Sequence, residues 1–529
     1  MVAFQSFTPS LCRLLPVQNG DEVDEKPGGL FPRAFVDAFR DAPDLPAFEH
    51  GEHTVTRGEM LDRIAGFARG LRAAGLAPGS RVALDTGVTP EAFAVRVAAH
   101  VVGCQVVGLR PGLTREHLRD ILARDVDAVV TDDAASRPEP AAAAGALRLL
   151  ETGGALRPPK GFAPAPDDLT PRGDRDGVGV IHLTSGSTGR PKGTMVTYGA
   201  LSEHWALQPA RWTDRVRRLA ARYERFLLFG TLTSAVMFEH LGLALLAGGT
   251  AVIPHRPLVF PDVFADLRIT ACMTTVPRLH GILDAVRDAR ADTSSLRALV
   301  VAGSPLAPHR LTEAAELLGP VAHHAYGQTE TGMLTLLEPE ELAADPGLAD
   351  TVGRPLDTVG MTVRDQDGHV LPADRTGEVW VRTPDAFCGY WEDPKETGDV
   401  LRDGWVRTRD LGRIDARGYL RLTGRARDVV IVNAVVHYAG PIERVLASHP
   451  EVDQAYVVGV PDERTGEAIH AFVVPQPGRA PAERALRDLV ARELGEASVP
   501  AGVSTLADVP VAASGKPDKA ALRALLAPR

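Results

Sequence analysis

The strongest local chemistry in this chain is a run of ten residues, Thr184-Ser185-Gly186-Ser187-Thr188-Gly189-Arg190-Pro191-Lys192-Gly193. Glycines let backbone N–H groups come close to a phosphate chain, hydroxyls donate further hydrogen bonds, and Arg190 and Lys192 add positive charge. The run therefore reads as a phosphate loop. It is not the Walker A pattern, which wants Gly directly before Lys and Ser or Thr directly after; Pro191 and Gly193 stand there instead. Lysine is itself informative, because only six of the 58 basic residues are lysine: Lys26, Lys160, Lys192, Lys395, Lys516 and Lys519. A lysine kept among arginines hints at a site that needs a compact ammonium on a flexible stem rather than a planar fork. Lys192 and Lys516 both lie in glycine-rich contexts. The four cysteines, Cys12, Cys104, Cys272 and Cys388, are far apart and form no CxxC pair. They are expected to be reduced and mostly buried rather than part of a zinc site or a disulfide framework.

These groups need a scaffold. At 529 residues the chain is too long for one ordinary core and should fold as several layers or subdomains. Its 44% hydrophobic and 24% charged residues exclude a mostly disordered chain. Residues 81–85, 104–109 and 127–131 read as strands, with helices at 90–102 and 115–124 between them. Alternation at this spacing argues for right-handed βαβ units and a parallel sheet. The Ala-rich stretch 134–144 and the Pro/Gly/Asp-rich stretch 153–177 read as loop or linker. A strand at 178–184 delivers the phosphate loop. Strands at 226–230, 250–253, 271–275 and 298–302 then alternate with helices at 238–247, 261–267 and 279–289. From about Val352, short strands with turn signals mark a small β-rich subdomain. Beyond Gly424 come a strand at 428–432, a helix at 440–448, strands at 452–460 and 469–475, and helices at 482–494 and 519–526. That pattern suffices for a separate small α+β domain. The expected fold class is α/β: a large N-terminal domain of α/β layers, residues 1–424, and a C-terminal domain, residues 425–529.

The formal net charge of −10 weighs against sequence-independent nucleic-acid binding, which needs a basic footprint. No run approaches the roughly 18 apolar residues of a membrane span. The N-terminus lacks a basic segment followed by a long apolar run, so a cytoplasmic protein is expected.

The loop resembles the signature of the adenylate-forming superfamily, which holds acyl- and aryl-CoA synthetases, peptide-synthetase adenylation domains and beetle luciferases. Four further segments resemble that family's motifs in the same order: Tyr326-Gly327-Gln328-Thr329-Glu330-Thr331-Gly332, residues 404–412 with Asp410, Gly424-Arg425 with Asp428, and Ser514-Gly515-Lys516. The resemblance implies attack of a substrate oxyanion on the α-phosphorus of ATP, giving an adenylate and pyrophosphate. Two anions must meet, so positioning and charge neutralisation carry such a reaction. By the same resemblance, Lys516 bridges the substrate oxygen and the α-phosphate, and Lys192 belongs to the catalytic set. Glu330 holds Mg²⁺, a hard cation that prefers carboxylate oxygen, and Thr329 contacts phosphate. Asp410 accepts from both ribose hydroxyls. Arg425 pairs with ribose or phosphate oxygens, Tyr326 stacks on adenine, and Gly303 and Ser304 admit the base. The C-terminal domain is implied to be mobile, pivoting near Arg427 and carrying Lys516 in and out.

Two departures stand out. Where the family's CoA ligases carry a lysine and a glycine pair, this chain reads Ile431, Asn433 and Ala434. That hairpin lines the pantetheine tunnel, so CoA as acceptor is in question. Arg409 stands where glycine is usual. The acid pocket is expected from residues 229–240, 302–306 and 323–333. Within it Glu239 and His240 either recognise an amine or hydroxyl of an aryl substrate or are ordinary polar residues at a helix start. His323 and His324 either face the pocket or are plain loop residues. The leading expectation is an AMP-forming ligase for an aryl or medium-sized acyl acid in specialised metabolism, passing its acyl group to CoA or an acyl carrier protein. The first alternative is a diazotase that activates nitrite with ATP and attacks an aromatic amine; the second is a non-catalytic nucleotide-binding regulator.

Overall fold

The computed structural model describes residues 29–132, 138–145, 147–157, 162–184, 192–255, 257–288, 291–426, 428–433, 435–462, 464–512 and 516–526. Ser185, Gly186, Ser187, Thr188 and Gly189 of the phosphate loop, with Arg190 and Pro191, lie outside the described residues, as do Cys12, Arg427, Ala434, Ser514 and Gly515.

The described residues form four sheets. The seven-stranded sheet runs Gly389–Tyr390, Lys192–Thr197, Val178–Thr184, Gln105–Gly108, Arg81–Asp85, Ala128–Thr131 and Arg148–Glu151 in spatial order. The nine-stranded sheet has Arg225–Leu227, Ala271–Thr275, Ala298–Ala302 and Ala322–Gln328 side by side and parallel. The expected parallel sheet is thus two sheets, each parallel in the middle and antiparallel at an edge. Val178–Thr184 pairs antiparallel with Lys192–Thr197, and Ala322–Gln328 with Gly332–Leu337. The reason is local: both connections are too short for a crossover helix, so each chain folds back as a hairpin. The hairpins put Thr184 opposite Lys192, and Thr329-Glu330, at the sheet ends.

Most strands sit where the sequence puts them; Arg81–Asp85, Thr250–Ile253, Ala271–Thr275 and Ala298–Ala302 match to the residue. The Ala-rich stretch read as linker instead contains the helix Pro138–Ala144. Alanine is the strongest helix former and proline is tolerated in the first turn, so composition that looked like low complexity supports a helix. The helix expected at 261–267 shrinks to Val263–Asp266. The helix expected from residue 238 begins earlier, at Ala235, because the Ser234 hydroxyl accepts from the Met237 N–H and caps it. Glu239 and His240 consequently lie inside a buried helix, not at its start.

Helices Arg57–Ala73, Pro90–Val102 and Ala235–Leu246 pack between the two large sheets around an aromatic core of Phe35, Phe39, Phe93 and Phe238. A five-stranded sheet including Gly377–Arg382, Trp405–Ile414 and Leu420–Arg425 forms the β-rich part. The last sheet, with Val429–Val432, Gly466–Pro475 and Val452–Asp462 antiparallel, carries the helices Ala439–Ala447 and Glu483–Leu494 and has its own core around Leu446, Val457 and Leu486. Cys104 and Cys272 are buried thiols whose pKa burial pushes up to about 12, and Cys388 is half-buried and in no disulfide. Among the described residues no helix is long and apolar enough to cross a membrane.

The two parts of the chain meet where Gly440 crosses Gly424. A Cβ on Gly440 would lie 2.6 Å from Gly424 Cα and 2.8 Å from the Thr423 oxygen. Gly440→Ala is therefore expected to destabilise the protein by about 1–3 kcal/mol through overpacking. Gly281, exposed within the helix Val276–Arg287, has nothing within 4 Å of the same position. Gly281→Ala should stabilise by up to about 1 kcal/mol through helix propensity. Thermal melts of the two variants should move in opposite directions.

Candidate active site

Asp410 is the meeting point. Its side chain is buried, at 6% exposure, in the strand Trp405–Ile414. Tyr326 Oη donates to Oδ2 at 2.6 Å, Gln328 Nε2 donates to the same oxygen at 2.6 Å, and Arg425 Nε donates to Oδ1 at 2.9 Å. Strand register makes this possible: Asp410 is the direct cross-strand partner of Arg425. Tyr326 and Gln328 are two apart on the strand Ala322–Gln328 and so face one way. Burial, then the charge on Asp410, pushes the Tyr326 hydroxyl well above its ordinary pKa, so it remains a donor. The charge on Asp410 raises the Arg425 pKa, although the Arg425 side chain is largely exposed. The Tyr326 ring is buried in the main core, with its hydroxyl on Asp410.

Two residues beyond Gln328 the chain turns. A Cβ on Gly327 would lie 2.3 Å from the Gly332 oxygen, so only glycine fits this turn. The turn lifts Thr329 and Glu330 to a half-buried rim. Tyr390 Oη donates to Glu330 Oε1 at 2.8 Å, and the Phe387 N–H donates to the Glu330 carbonyl at 2.9 Å. A carboxylate steadied through one oxygen and carrying a second suits a hard divalent cation.

Lys192 opens the returning strand of the phosphate hairpin, opposite Thr184. Its Nζ lies 3.0 Å from Glu396 Oε1, and Arg409 Nη1 lies 2.6 Å from the same oxygen. Arg409 has φ +60°, the left-handed region that favours glycine. The geometry explains both the usual glycine and what the arginine adds, a second cation on Glu396. Asn433, also in a family glycine position, has φ +51°; asparagine tolerates that region best after glycine.

Lys516 comes from far along the chain to this same place. Its turn is closed by the Ala512 N–H donating to the Lys516 oxygen at 2.8 Å. A Cβ on Gly303 would lie 3.6 Å from Lys516 Cε. Burial first, then the charge on Arg425, pulls the Lys516 ammonium below its ordinary pKa, while Glu330 and Asp410 pull it up. Lys519 points elsewhere, to Asp428 and, at 2.7 Å, to Glu443. The C-terminal unit is clasped in this pose by Arg310 Nε on Asp453 Oδ1 at 2.7 Å and by Gln454 Nε2 donating to His280 Nδ1 at 2.9 Å.

Of the residues expected to form the site, Lys516, Glu330, Asp410, Arg425, Tyr326 and Gly303 come together. Thr329 adjoins Glu330, and Thr184 and Lys192 face each other at the hairpin. Ser304 follows the exposed Gly303 and is half-buried. His323 and His324 are not loop residues. Both are buried in the strand Ala322–Gln328, bonded to the carbonyls of Val321 and Thr351 at 2.9 Å each.

Sequence reading singled out Glu239 and His240 but missed the partners that make them a buried polar cluster behind the Glu330 turn, His204, Tyr223 and Asp385. Glu239 Oε1 lies 3.4 Å from His204 Nε2, and His240 Nδ1 lies 2.6 Å from Tyr223 Oη. Asp385 Oδ2 accepts from the Trp205 N–H at 3.4 Å, and His204 and Asp385 both face Gly332. The Ala206 N–H donates to His204 Nδ1 at 3.2 Å, which leaves Nε2 to carry the proton toward Glu239. Burial lowers the His204 pKa, and Asp385 and Glu239 more than reverse that. Burial, offset by His204 and reinforced by Glu239, lifts Asp385 to about 6. No motif signals this cluster; isolated His and Asp residues in an apolar stretch were the one trace.

Asp385 yields a signed pH prediction. Its folded pKa is above the unfolded value, so ionisation costs stability progressively from about pH 4 up to about pH 6. Asp385→Asn keeps the acceptor for Trp205 and removes that cost. Its melting temperature should exceed that of the parent above pH 6, and the advantage should shrink toward pH 4.

The chain matches the family model described as AMP-binding enzyme over residues 35–391 and the one described as AMP-binding enzyme C-terminal domain over residues 441–516. It is 33% identical to the feruloyl-CoA synthase of an Amycolatopsis species over 485 residues, 90% of this chain and 95% of the relative. It is 31% identical to the fatty acid–[acyl-carrier-protein] ligase ScoC of Streptomyces coeruleorubidus over 493 residues, 90% of this chain and 92% of the relative. In three dimensions it resembles the amide bond synthetase McbA from Marinactinospora thermotolerans, with a TM-score of 0.80 and 32% identity, covering 93% of this chain and 99% of the other.

Proposed function

The chain belongs to the AMP-binding enzyme family, as an AMP-forming acid ligase, and we propose that the residues gathered around Asp410 and Lys516 are its adenylation centre. Its reaction is ATP-dependent adenylation of a carboxylic acid with release of pyrophosphate, followed by transfer of the acyl group to CoA or a carrier. The observation that carries the assignment of the centre is convergence. Residues near 303, 326–330, 410, 425 and 516, separated by up to 213 positions, meet around one buried carboxylate.

Asp410 accepts both ribose hydroxyls in this reading; its oxygens are already oriented by Tyr326, Gln328 and Arg425, so little reorganisation is needed. Tyr326 lies against the adenine, with Gly303 and Ser304 making room for the base. Thr184 and Lys192 with residues 185–189 hold the phosphates, and Thr329 adds a hydroxyl. When bound, Mg²⁺ on Glu330 neutralises phosphate charge. Lys516 binds the incoming carboxylate and the α-phosphate together. Its ammonium, on an exposed residue with Arg425 close by, gains most when those two anions arrive, so it neutralises charge where repulsion would be greatest.

In this reading the tail from residue 425 is a separate domain that pivots near Arg427 and withdraws Lys516 for the second step. The clasp at Arg310, Asp453 and His280 holds the adenylating pose. The acceptor in this reading is a carrier protein in preference to free CoA, because Ile431 stands for the lysine, and Asn433 and Ala434 for the glycine pair, of the hairpin that lines the thiol tunnel in CoA ligases. The role fits the cytoplasm, where ATP is supplied, and specialised metabolism.

The test is pyrophosphate release with Mg-ATP across fatty, benzoic and cinnamic acids, with and without CoA, nitrite or a carrier protein. Release should need an acid and not nitrite; a strict nitrite requirement would overturn the reading. Lys516→Ala should lower acid-dependent release by several orders of magnitude while ATP binding, read by dye displacement, persists. Removing Mg²⁺ with a chelator should abolish release, and Glu330→Gln should raise the metal concentration required.

A further inference from the structure

Arg409 holds a backbone conformation that an arginine seldom takes. Its φ of +60° lies in the left-handed region, which glycine enters freely and a residue with a side chain enters at a cost. The cost sits in a bulge. The pairing of the strands Gly377–Arg382 and Trp405–Ile414 slips between Glu378, opposite Leu411, and Trp380, opposite Arg407. The Thr408 hydroxyl closes the slip, donating to the Val379 oxygen at 2.8 Å and accepting from the Asp410 N–H at 3.1 Å. Bulges re-aim side chains beside active sites, and residues held off their preferred backbone gather there.

The side chain aimed by this bulge turns away from solvent. It is 18% exposed, and Nη1 lies 2.6 Å from Glu396 Oε1. Lys192 Nζ lies 3.0 Å from that same oxygen, so the two cations are neighbours. Lys192 Nζ is also 5.4 Å from the centroid of the Tyr390 ring, and Tyr390 Oη donates to Glu330 Oε1 at 2.8 Å. Burial, then the charge on Glu330, raises the Tyr390 pKa, and the charge on Arg409 opposes them. Arg409 is thus flanked along the chain by Asp410 and in space by Lys192 and, across Tyr390, by Glu330. Neutralising Glu396 does not call for it, since Lys192 already brings a cation to that carboxylate. An ion pair that is not fully buried stabilises little, and less than a side chain in the left-handed region costs.

We infer that Arg409 is a further binding residue for the β- and γ-phosphates of ATP and for the pyrophosphate that leaves, its guanidinium passing from Glu396 to phosphate oxygens beside Lys192 when the nucleotide binds. The inference rests on the adenylation-centre reading and adds a residue to it. A guanidinium offers phosphate two parallel N–H donors, which an ammonium does not. As the bond from the α-phosphorus to the bridging oxygen breaks, its electron pair goes to the pyrophosphate. A cation already in place there stabilises the charge that develops.

The test is the affinity of the full chain for ATP and for AMP, both with Mg²⁺ present, by titration calorimetry. AMP carries the ribose and the α-phosphate but not the groups that Arg409 holds in this inference. Arg409→Gly should lower the ATP-to-AMP affinity ratio about tenfold. Glycine adopts φ +60° without strain, so this variant relieves the backbone rather than burdening it. Arg409→Gln keeps length without charge and repeats the comparison should glycine loosen the bulge. A purely structural role in setting Asp410 would weaken both nucleotides alike and leave the ratio unmoved. A ratio within threefold of wild type in either folded variant therefore overturns the inference and leaves the adenylation-centre reading standing. A wild type that binds neither nucleotide overturns both.

Discussion

Everything at this site depends on one buried carboxylate keeping its hydrogen-bond partners. Asp410 is largely removed from water, and a buried carboxylate is costly unless it is paired and hydrogen-bonded. One hydroxyl, one amide and one guanidinium donate to it. That need ties together three regions with no local reason to meet. Tyr326 and Gln328 end a strand of the nine-stranded sheet, Asp410 lies in the β-rich sheet, and Arg425 is the last paired residue before the tail. The carboxylate is thereby both a ligand acceptor and the joint of the molecule.

The surrounding charges follow one pattern. Each acid is already shared by cations or donors: Glu396 by Lys192 and Arg409, Glu330 by Tyr390, Asp410 by Arg425. Cations so held cost little to keep in place, and an arriving polyphosphate can exchange one anionic partner for another. A preorganised shell of this kind is what stabilising charge in a transition state requires. Lys516 is the exception, having neighbours but no ion pair with an acid among the described residues. A residue proposed to enter and leave should be the one that is not tied.

The sequence revealed the scaffold and the ribose side well, for physical reasons. Strands such as Ala298–Ala302 are short apolar runs between turn signals, and period and punctuation suffice to find them. Thr184, Tyr326, Glu330, Asp410 and Lys516 sit in short segments whose order along the chain is itself the signal. Three things were not legible. Pro138–Ala144 hid because alanine-rich composition suits a linker as well as a helix. Arg409 had no account because φ is a property of the backbone, and a side chain that departs from glycine gives no hint of its partner. His204, Glu239 and Asp385 come from three distant segments, and only packing makes them neighbours.

Polar groups near the site are unequally satisfied. Around Asp410 the bonds are short and charge-assisted. Behind the Glu330 turn, Glu239 Oε2 and Asp385 Oδ1 are buried without a hydrogen-bond partner among the described residues. Unmet buried groups are destabilising, and native proteins keep few of them. The Glu330 side is thereby the less settled of the two, and it is where Asp385, its pKa lifted to about 6, makes stability depend on pH.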